Sequence, residues 1–152
     1  MNWAKTDIQL MRAAIAEAEK AQVSNEIPVG AIVVQSADII GKGFNRTIQD
    51  SDPCAHAEVV AIREAATNQK QHRLTGATVY VTLEPCAMCV GAMIQARIQR
   101  LVFGAYDPKA GAVGSVLDLS DIKELNHRIE INGGLLEDEC SAILKDFFAT
   151  KR

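Results

Sequence analysis

Residues 78–89 have the sequence TVYVTLEPCAMC, in which a predicted strand leads into a predicted helix. Residues 78–82 alternate β-branched and aromatic side chains, a pattern typical of a strand. Pro85 favours the first turn of a helix, which the following apolar residues continue. Cys86 and Cys89 are three positions apart, so they share one face of that helix. The exposed amides of a first helical turn favour negative charge, and they therefore stabilise thiolates there.

A second reactive cluster, His56-Ala57-Glu58, lies upstream at the predicted start of another helix. His56, Cys86 and Cys89 offer one imidazole and two thiolates, which are ligands that zinc prefers. Structural zinc sites normally have four protein ligands, whereas three leave a position open for water, as in catalytic sites. Zinc lowers the pKa of such a water to about 7. We therefore expect one zinc ion per chain, with Glu58 as the catalytic group that moves protons.

His56 and Glu58 converge on one site only if the helix begins at about His56. On a regular helix, side chains two positions apart point about 200° away from each other. The spacing alone also leaves open two interpretations of these residues that involve no catalytic zinc. One is a redox Cys-x-x-Cys motif, in which His-x-Glu is idle. The other is a structural zinc site with Cys54 as the fourth ligand, in which Glu58 is unexplained.

The rest of the chain predicts an α/β fold with helices on both faces of a mixed sheet. Thr6 is the expected N-cap of a first helix, and Cys140 and Phe147 mark the inner face of the last helix. Residues 104–120 form a long irregular stretch, and such stretches are usually functional. We predict one domain over residues 1–152. The further predicted elements are strands at 29–34, 39–44, 100–103 and 128–131 and helices at 56–67 and 121–125.

The composition is that of a globular protein. Of the 152 residues, 48% are hydrophobic and 23% are charged, and the net charge is −3. No apolar run approaches the ~20 residues that a helix needs to cross a bilayer. The N-terminal residues contain no apolar signal core. We therefore expect a cytoplasmic protein that does not bind a membrane. The acidic total argues weakly against nucleic acid, although local basic patches remain compatible with it.

The pattern His-x-Glu followed by Pro-Cys-x-x-Cys is the signature of zinc-dependent nucleobase deaminases. Beyond these motifs, the chain resembles the bacterial tRNA-specific adenosine deaminases of the cytidine and deoxycytidylate deaminase superfamily. The resemblance runs from about Met11 to Phe148 and implies a three-layer α/β/α sandwich with a mixed five-stranded sheet. The similar segments are 28–31 (PVGA), 41–46 (GKGFNR), 52–58 (DPCAHAE), 80–89 (YVTLEPCAMC), 91–94 (GAMI), 102–105 (VFGA), 109–112 (KAGA), 126–130 (NHRIE) and 147–148 (FF).

This resemblance also implies an activity and partners. The implied reaction is hydrolytic deamination of adenosine to inosine at the wobble position of a tRNA anticodon. The implied assembly is a homodimer in which both subunits help to bind tRNA. Asn45 is the expected hydrogen-bonding partner of the flipped nucleoside, and Val29 is the expected apolar wall against the base. Ala57 is a further expected substrate-binding residue.

Several basic side chains are candidate phosphate contacts because most of them lie in predicted loops: Arg46, Lys109 and Arg128, with Lys70 and Arg73. Phe148 is a candidate for stacking on a base. Asp107 has two interpretations. Its carboxylate accepts a hydrogen bond from a ribose 2′-hydroxyl, or it only forms a turn before Pro108.

Two other functions remain open at the level of the sequence. The first is a deaminase of a free base or nucleoside, such as guanine or cytosine, on the same fold. The second is a catalytically inactive, zinc-containing RNA-binding module. The intact Glu58 argues against the second.

Overall fold

The computed structural model describes residues 2–151, which place four α-helices around a five-stranded sheet. The helices are α1 (Lys5–Val23), α2 (Ala57–Gln69), α3 (Ala87–Ala96) and α4 (Glu137–Ala149). The strands are β1 (Gly30–Gln35), β2 (Asp38–Phe44), β3 (Thr78–Leu83), β4 (Arg100–Ala105), β5 (Asp121–Ile122), β6 (His127–Arg128) and β7 (Glu130–Gly133). Within the described residues, no helix has the length and apolar composition needed to cross a membrane.

The main sheet has the strand order β2-β1-β3-β4-β7. Strand β1 runs antiparallel to both β2 and β3, whereas the pairs β3–β4 and β4–β7 are parallel. The mixed five-stranded sheet is therefore confirmed. Strands β1 and β2 form a hairpin. Its two turn residues, Ser36 and Ala37, have φ values of 51° and 67°, as a two-residue turn between twisted strands requires.

The sheet separates two hydrophobic cores, so the three-layer architecture is confirmed. Alternate residues of a strand point to opposite faces. Val79 and Val81 of β3 pack with residues of α2 and α3, whereas Tyr80 between them packs with residues of α1 and α4. Cys140 and Phe147 are buried on α4, as the sequence predicts.

One edge of the sheet collects the chain segments that carry the reactive residues. Gly30 pairs with Phe44, and Leu83 pairs with Ala105, so the carboxyl ends of β2, β3 and β4 lie beside the amino end of β1. We call the edge defined by these four residues the site edge. The opposite edge carries the amino ends of β3, β4 and β7. In sheets with parallel strands, ligands bind beyond the carboxyl ends of those strands.

Three local predictions are wrong. The N-cap of α1 is Ala4 and makes no side-chain capping bond, so Thr6 lies inside the first turn. Residues 121–125 form a two-residue strand and a short 3₁₀ turn, and the strand predicted at 128–131 is divided between β6 and β7. On α3, Met88 is 37% exposed, whereas Met93 is fully buried.

A buried polar network joins α1 to the sheet. Asp7 accepts a hydrogen bond of 2.7 Å from the Tyr80 hydroxyl and is paired at 3.0 Å with Arg100. Burial raises the pKa of Asp7, but the hydrogen bonds from Arg100 and Tyr80 outweigh burial, so its pKa is lowered overall. An ionised Asp7 is thus preferred in the folded protein.

We predict that Asp7→Asn lowers the free energy of unfolding by about 2 kcal/mol at pH 7, because hydrogen bonds to charged groups carry about 1.5–3 kcal/mol. The folded pKa lies below the unfolded value of about 3.9. The full loss of unfolding free energy should therefore be seen above about pH 4–5, up to roughly one unit above the unfolded pKa. The loss should shrink as the pH falls through the folded pKa.

Urea unfolding of both proteins at pH 7 and pH 3 measures this difference. Arg12→Ala is the control, because Arg12 and Glu139 form an exposed ion pair, and such pairs contribute about 0–1 kcal/mol. An equal effect of Asp7→Asn at both pH values would contradict the prediction.

Candidate active site

The starts of α2 and α3 place the three candidate zinc ligands. His56 is the N-cap of α2 in an extended conformation, with φ −71° and ψ 153°. Cys86 is the N-cap of α3, with φ −78° and ψ 174°, and Cys89 lies in the first turn. Because α2 begins directly after His56, the condition for His56 and Glu58 to converge is met.

The separations among the three ligand atoms fit a tetrahedral zinc ion. The Cys86 and Cys89 sulfurs are 3.8 Å apart, and His56 Nδ1 lies 3.6 Å and 3.5 Å from them. Zn–S bonds of about 2.3 Å and a Zn–N bond of about 2.0–2.1 Å at tetrahedral angles require separations of about 3.8 Å and 3.6 Å. His56, Cys86 and Cys89 form the one group of metal-ligand type found among the described residues.

The local electrostatics favour a cation at this point. Hydrogen bonds from Cys89 and His56 lower the pKa of Cys86 to about 3. The interaction with Cys86, together with burial, raises the pKa of Cys89. Two neighbouring thiolates repel each other, so both ionise readily only when a dication lies between them.

Glu58 lies beside this ligand set and is 4% exposed. Burial raises its pKa to about 7, although His56 and a hydrogen bond with Cys89 act in the opposite direction. A carboxyl group with a pKa near neutral pH both accepts and donates a proton readily under those conditions.

A cavity of about 180 Å³ opens onto the ligand set at the site edge. It is smaller than the roughly 300–1,000 Å³ of sites for drug-sized ligands, so its size suits a single nucleobase. The predicted residues that line it are Val29, Asn45, His56, Glu58, Cys86 and Asp107. Sequence reasoning missed Ile27, Leu83, Glu84 and Ala110. Of these, Glu84 gave a signal, as a charged residue at the end of a predicted strand.

Asn45 and Ala57 have different roles in this wall. The Ala57 N–H donates a 3.0 Å hydrogen bond to Asn45 Oδ1, and the Ala57 side chain is fully buried. Ala57 therefore fixes Asn45 through its backbone. The oxygen of the Asn45 amide is occupied, which leaves the amide NH₂ as its donor towards the cavity.

Asp107 borders the same cavity but also shapes its own loop. Its Oδ1 accepts hydrogen bonds from the N–H groups of Lys109 and Ala110, at 3.0 and 3.2 Å. This is the geometry of a turn-forming aspartate. A contact between Asp107 and a ribose 2′-hydroxyl stays a prediction.

The candidate RNA contacts fall into three places. Lys109 and Phe148 line one groove of about 730 Å³, together with Leu144, Lys145, Ala149 and Lys151. Arg46 forms a 2.9 Å ion pair with Asp50. Arg128 lies at the opposite edge of the sheet, in a cleft with Arg73 and Arg97. Strand β4 runs from this opposite edge to the site edge and spans six residues at about 3.3 Å each. Arg128 is therefore roughly 20 Å from the candidate zinc ligands.

Comparison with known proteins agrees with this geometry. The family model described as the cytidine and deoxycytidylate deaminase zinc-binding region matches residues 4–105. A tRNA-specific adenosine deaminase of Haemophilus influenzae is 50% identical over 96% of this chain and 85% of its own length. The tRNA-specific adenosine deaminase of Bacillus subtilis is 43% identical, with 93% and 88% covered. A solved structure from studies of A-to-I editing by tRNA:A34 deaminases has a TM-score of 0.87 and 43% identity, with 90% of this chain and 99% of that one covered.

We predict that His56→Ala, Cys86→Ala and Cys89→Ala each lower the zinc content of the purified protein, since each removes one of three ligands. Elemental analysis by mass spectrometry measures the zinc per chain. Cys54→Ala is the control, because Cys54 is an exposed cysteine outside the ligand set. Full zinc in all three ligand variants would rule out this site.

Proposed function

Because the chain belongs to the cytidine and deoxycytidylate deaminase family and, within it, to the tRNA-specific adenosine deaminases, we propose that it converts adenosine to inosine at the wobble position of a tRNA anticodon. One observation carries this proposal. The buried Glu58 and two of the three candidate zinc ligands, His56 and Cys86, line a cavity that suits one nucleobase. A structural zinc site needs no such cavity, and a redox motif needs neither His56 nor Glu58.

Substrate binding begins when the target base leaves its stack and enters the cavity. This costs a few kcal/mol, and the cost is smallest for a base that is not held in a duplex, as in an anticodon loop. Val29 supplies an apolar wall for the base. The NH₂ group of Asn45, oriented by Ala57, donates a hydrogen bond to an acceptor of the nucleoside.

Glu58 performs the proton transfers of the hydrolysis. A zinc ion held by His56, Cys86 and Cys89, one per chain, would supply a Lewis acid that lowers the pKa of water to about 7. Glu58 accepts a proton from the attacking water and donates it to a ring nitrogen of adenine. It then helps the 6-amino group to leave as ammonia, so that water and adenosine give inosine and ammonia.

The groove beside the cavity is the proposed path of the RNA. Three lysines, Lys109, Lys145 and Lys151, border it and attract phosphates, while the half-exposed Phe148 offers a ring for stacking. Arg46 adds a cation next to Asn45 in the chain, with its guanidinium paired to Asp50. From a tRNA substrate we also infer a cytoplasmic enzyme.

A homodimer explains how Arg128, the remaining candidate RNA contact, reaches the tRNA. Arg128 lies too far from the cavity of its own chain to touch the same few nucleotides. In a dimer whose subunits share one tRNA, Arg128 meets the RNA that enters the partner's cavity. The exposed Met88 and the half-buried Ala92 of α3 offer apolar surface for such an interface.

We predict that Glu58→Ala keeps its fold and its zinc but deaminates tRNA on the order of 10²-fold or more slowly, the usual scale for general acid–base catalysis. Nucleoside analysis of digested tRNA measures the inosine formed. Glu58→Gln is the matched variant of similar shape and should be equally slow. Near-normal turnover in either variant would exclude the mechanism. Equal activity of the wild type on free adenosine would favour a nucleoside deaminase.

We predict that tRNA affinity falls steeply with salt, and that Lys109→Ala and Arg128→Ala each lower the slope of log K against log salt by about 1. Titrations of an anticodon stem-loop at several salt concentrations measure these slopes. Lys5→Ala is the control, because it removes the same charge from the exposed start of α1. An unchanged slope for Arg128→Ala would argue against a tRNA shared by two subunits.

A further inference from the structure

Glu84 is a buried carboxylate in the wall of the cavity, two residues before Cys86, and it is 2% exposed. Its Oε1 accepts hydrogen bonds from the Asp107 N–H, at 3.1 Å, and from the Ser115 hydroxyl. Its Oε2 accepts from the N–H groups of Val113 and Ser115, at 3.2 and 3.1 Å. Among residues 2–151, no ion pair includes Glu84. All four donors belong to one irregular loop, residues 107–115.

The loop is shaped around this carboxylate. A Cβ atom at Gly111 would lie 2.3 Å from Glu84 Cδ, so only glycine allows the backbone to pass this close. The next residue, Ala112, donates its N–H to the carbonyl of Pro85 at 2.9 Å. The turn that carries Cys86 and the loop that carries Asp107 are therefore joined through two consecutive residues, Glu84 and Pro85.

These contacts strongly favour the observed position of residues 107–115, in which the loop forms part of the cavity wall. We call this the closed position of the loop. If residues 107–115 move away, the Glu84 carboxylate loses all four donors, and hydrogen bonds to a charged acceptor stabilise more than those between neutral groups. Asp107 and Ala110, which line the cavity, lie on this same loop. The state of the Glu84 contacts therefore sets the shape of one wall of the cavity.

We propose that Glu84 is a positioning residue that holds residues 107–115 closed against the nucleobase cavity and thereby determines how well the substrate binds. This inference rests on the proposed deaminase function. Glu84 acts through the loop and not on the reacting atoms. If only a fraction of the molecules has the closed loop, the apparent affinity falls by that fraction.

The test is Glu84→Gln. Each carboxylate oxygen accepts at least one backbone N–H, so either orientation of the glutamine turns its NH₂ group towards an N–H donor. We expect the KM for an anticodon stem-loop to rise about tenfold, as it does when the closed fraction falls to about a tenth. We expect kcat to change much less and the zinc content to stay the same. Amide hydrogen exchange within residues 107–115 should become faster.

Two further comparisons separate positioning from a general loss of stability. Asp7→Asn makes the same carboxylate-to-amide change in a buried residue far from the cavity, and it should lower stability without changing KM. Ser115→Ala removes one donor to Glu84 from an exposed residue, so it should fold normally and raise KM modestly, while Ser115→Thr, which keeps the hydroxyl, should restore it.

An unchanged KM together with unchanged exchange in residues 107–115 would overturn the proposal. If Glu84→Gln does not fold, the two Ser115 variants decide by the same two measurements. The exchange experiment needs no substrate. If exchange is faster in Glu84→Gln but the wild type does not deaminate tRNA, the proposed function is rejected and the role of Glu84 in holding the loop is kept. If the wild type is active but Glu84→Gln leaves the loop unaffected, only the role of Glu84 is rejected.

Discussion

Two helices must begin within a few ångströms of each other for His56 to meet Cys86 and Cys89, and the rest of the architecture follows from this. Helix α2 comes after β2 and α3 comes after β3, and these two strands lie on either side of β1. Because β2 and β3 both run antiparallel to β1, their carboxyl ends reach the same edge of the sheet. Both helices then cover the same face. The ligand separations of 3.5–3.8 Å are the result.

The helix starts also contribute chemistry. An α-helix leaves its first N–H groups without partners inside the helix. At α2, one of them, the N–H of Ala57, is used by Asn45 Oδ1. A single hydrogen bond thus satisfies one free N–H group at the start of the helix and turns the amide of Asn45 towards the cavity. At α3, the free first turn favours the thiolate form of Cys86, which is the form that binds zinc.

Buried carboxylates fasten the two irregular loops that border the site. Glu84 binds residues 107–115. In the same way Glu26, 1% exposed, accepts hydrogen bonds from the Thr47 hydroxyl and from the N–H groups of Ile48 and Gln49. Loops carry backbone N–H groups that no sheet or helix satisfies, and a carboxylate can accept several of them at once. Both loops thereby keep fixed positions while remaining free of regular structure.

The sequence by itself determined the helices and strands with strong periodicity and identified the candidate zinc ligands and Glu58. These are local properties, because residue spacing and the N-terminal position on a helix decide which side chains share a face. The start of α1 and residues 121–131 were predicted wrongly because their short polar segments carry no periodicity. In the first turn of α1, Asp7 is held by Arg100 and Tyr80, which are distant in the chain, and not by a local capping pattern. Only the tertiary structure decided that Ile27, Glu84 and Ala110 share one cavity, that Met88 faces outwards and that Arg128 lies at the far edge. The physical reason is that strand order and loop closure bring together segments that are far apart in the chain, and no local pattern records those contacts.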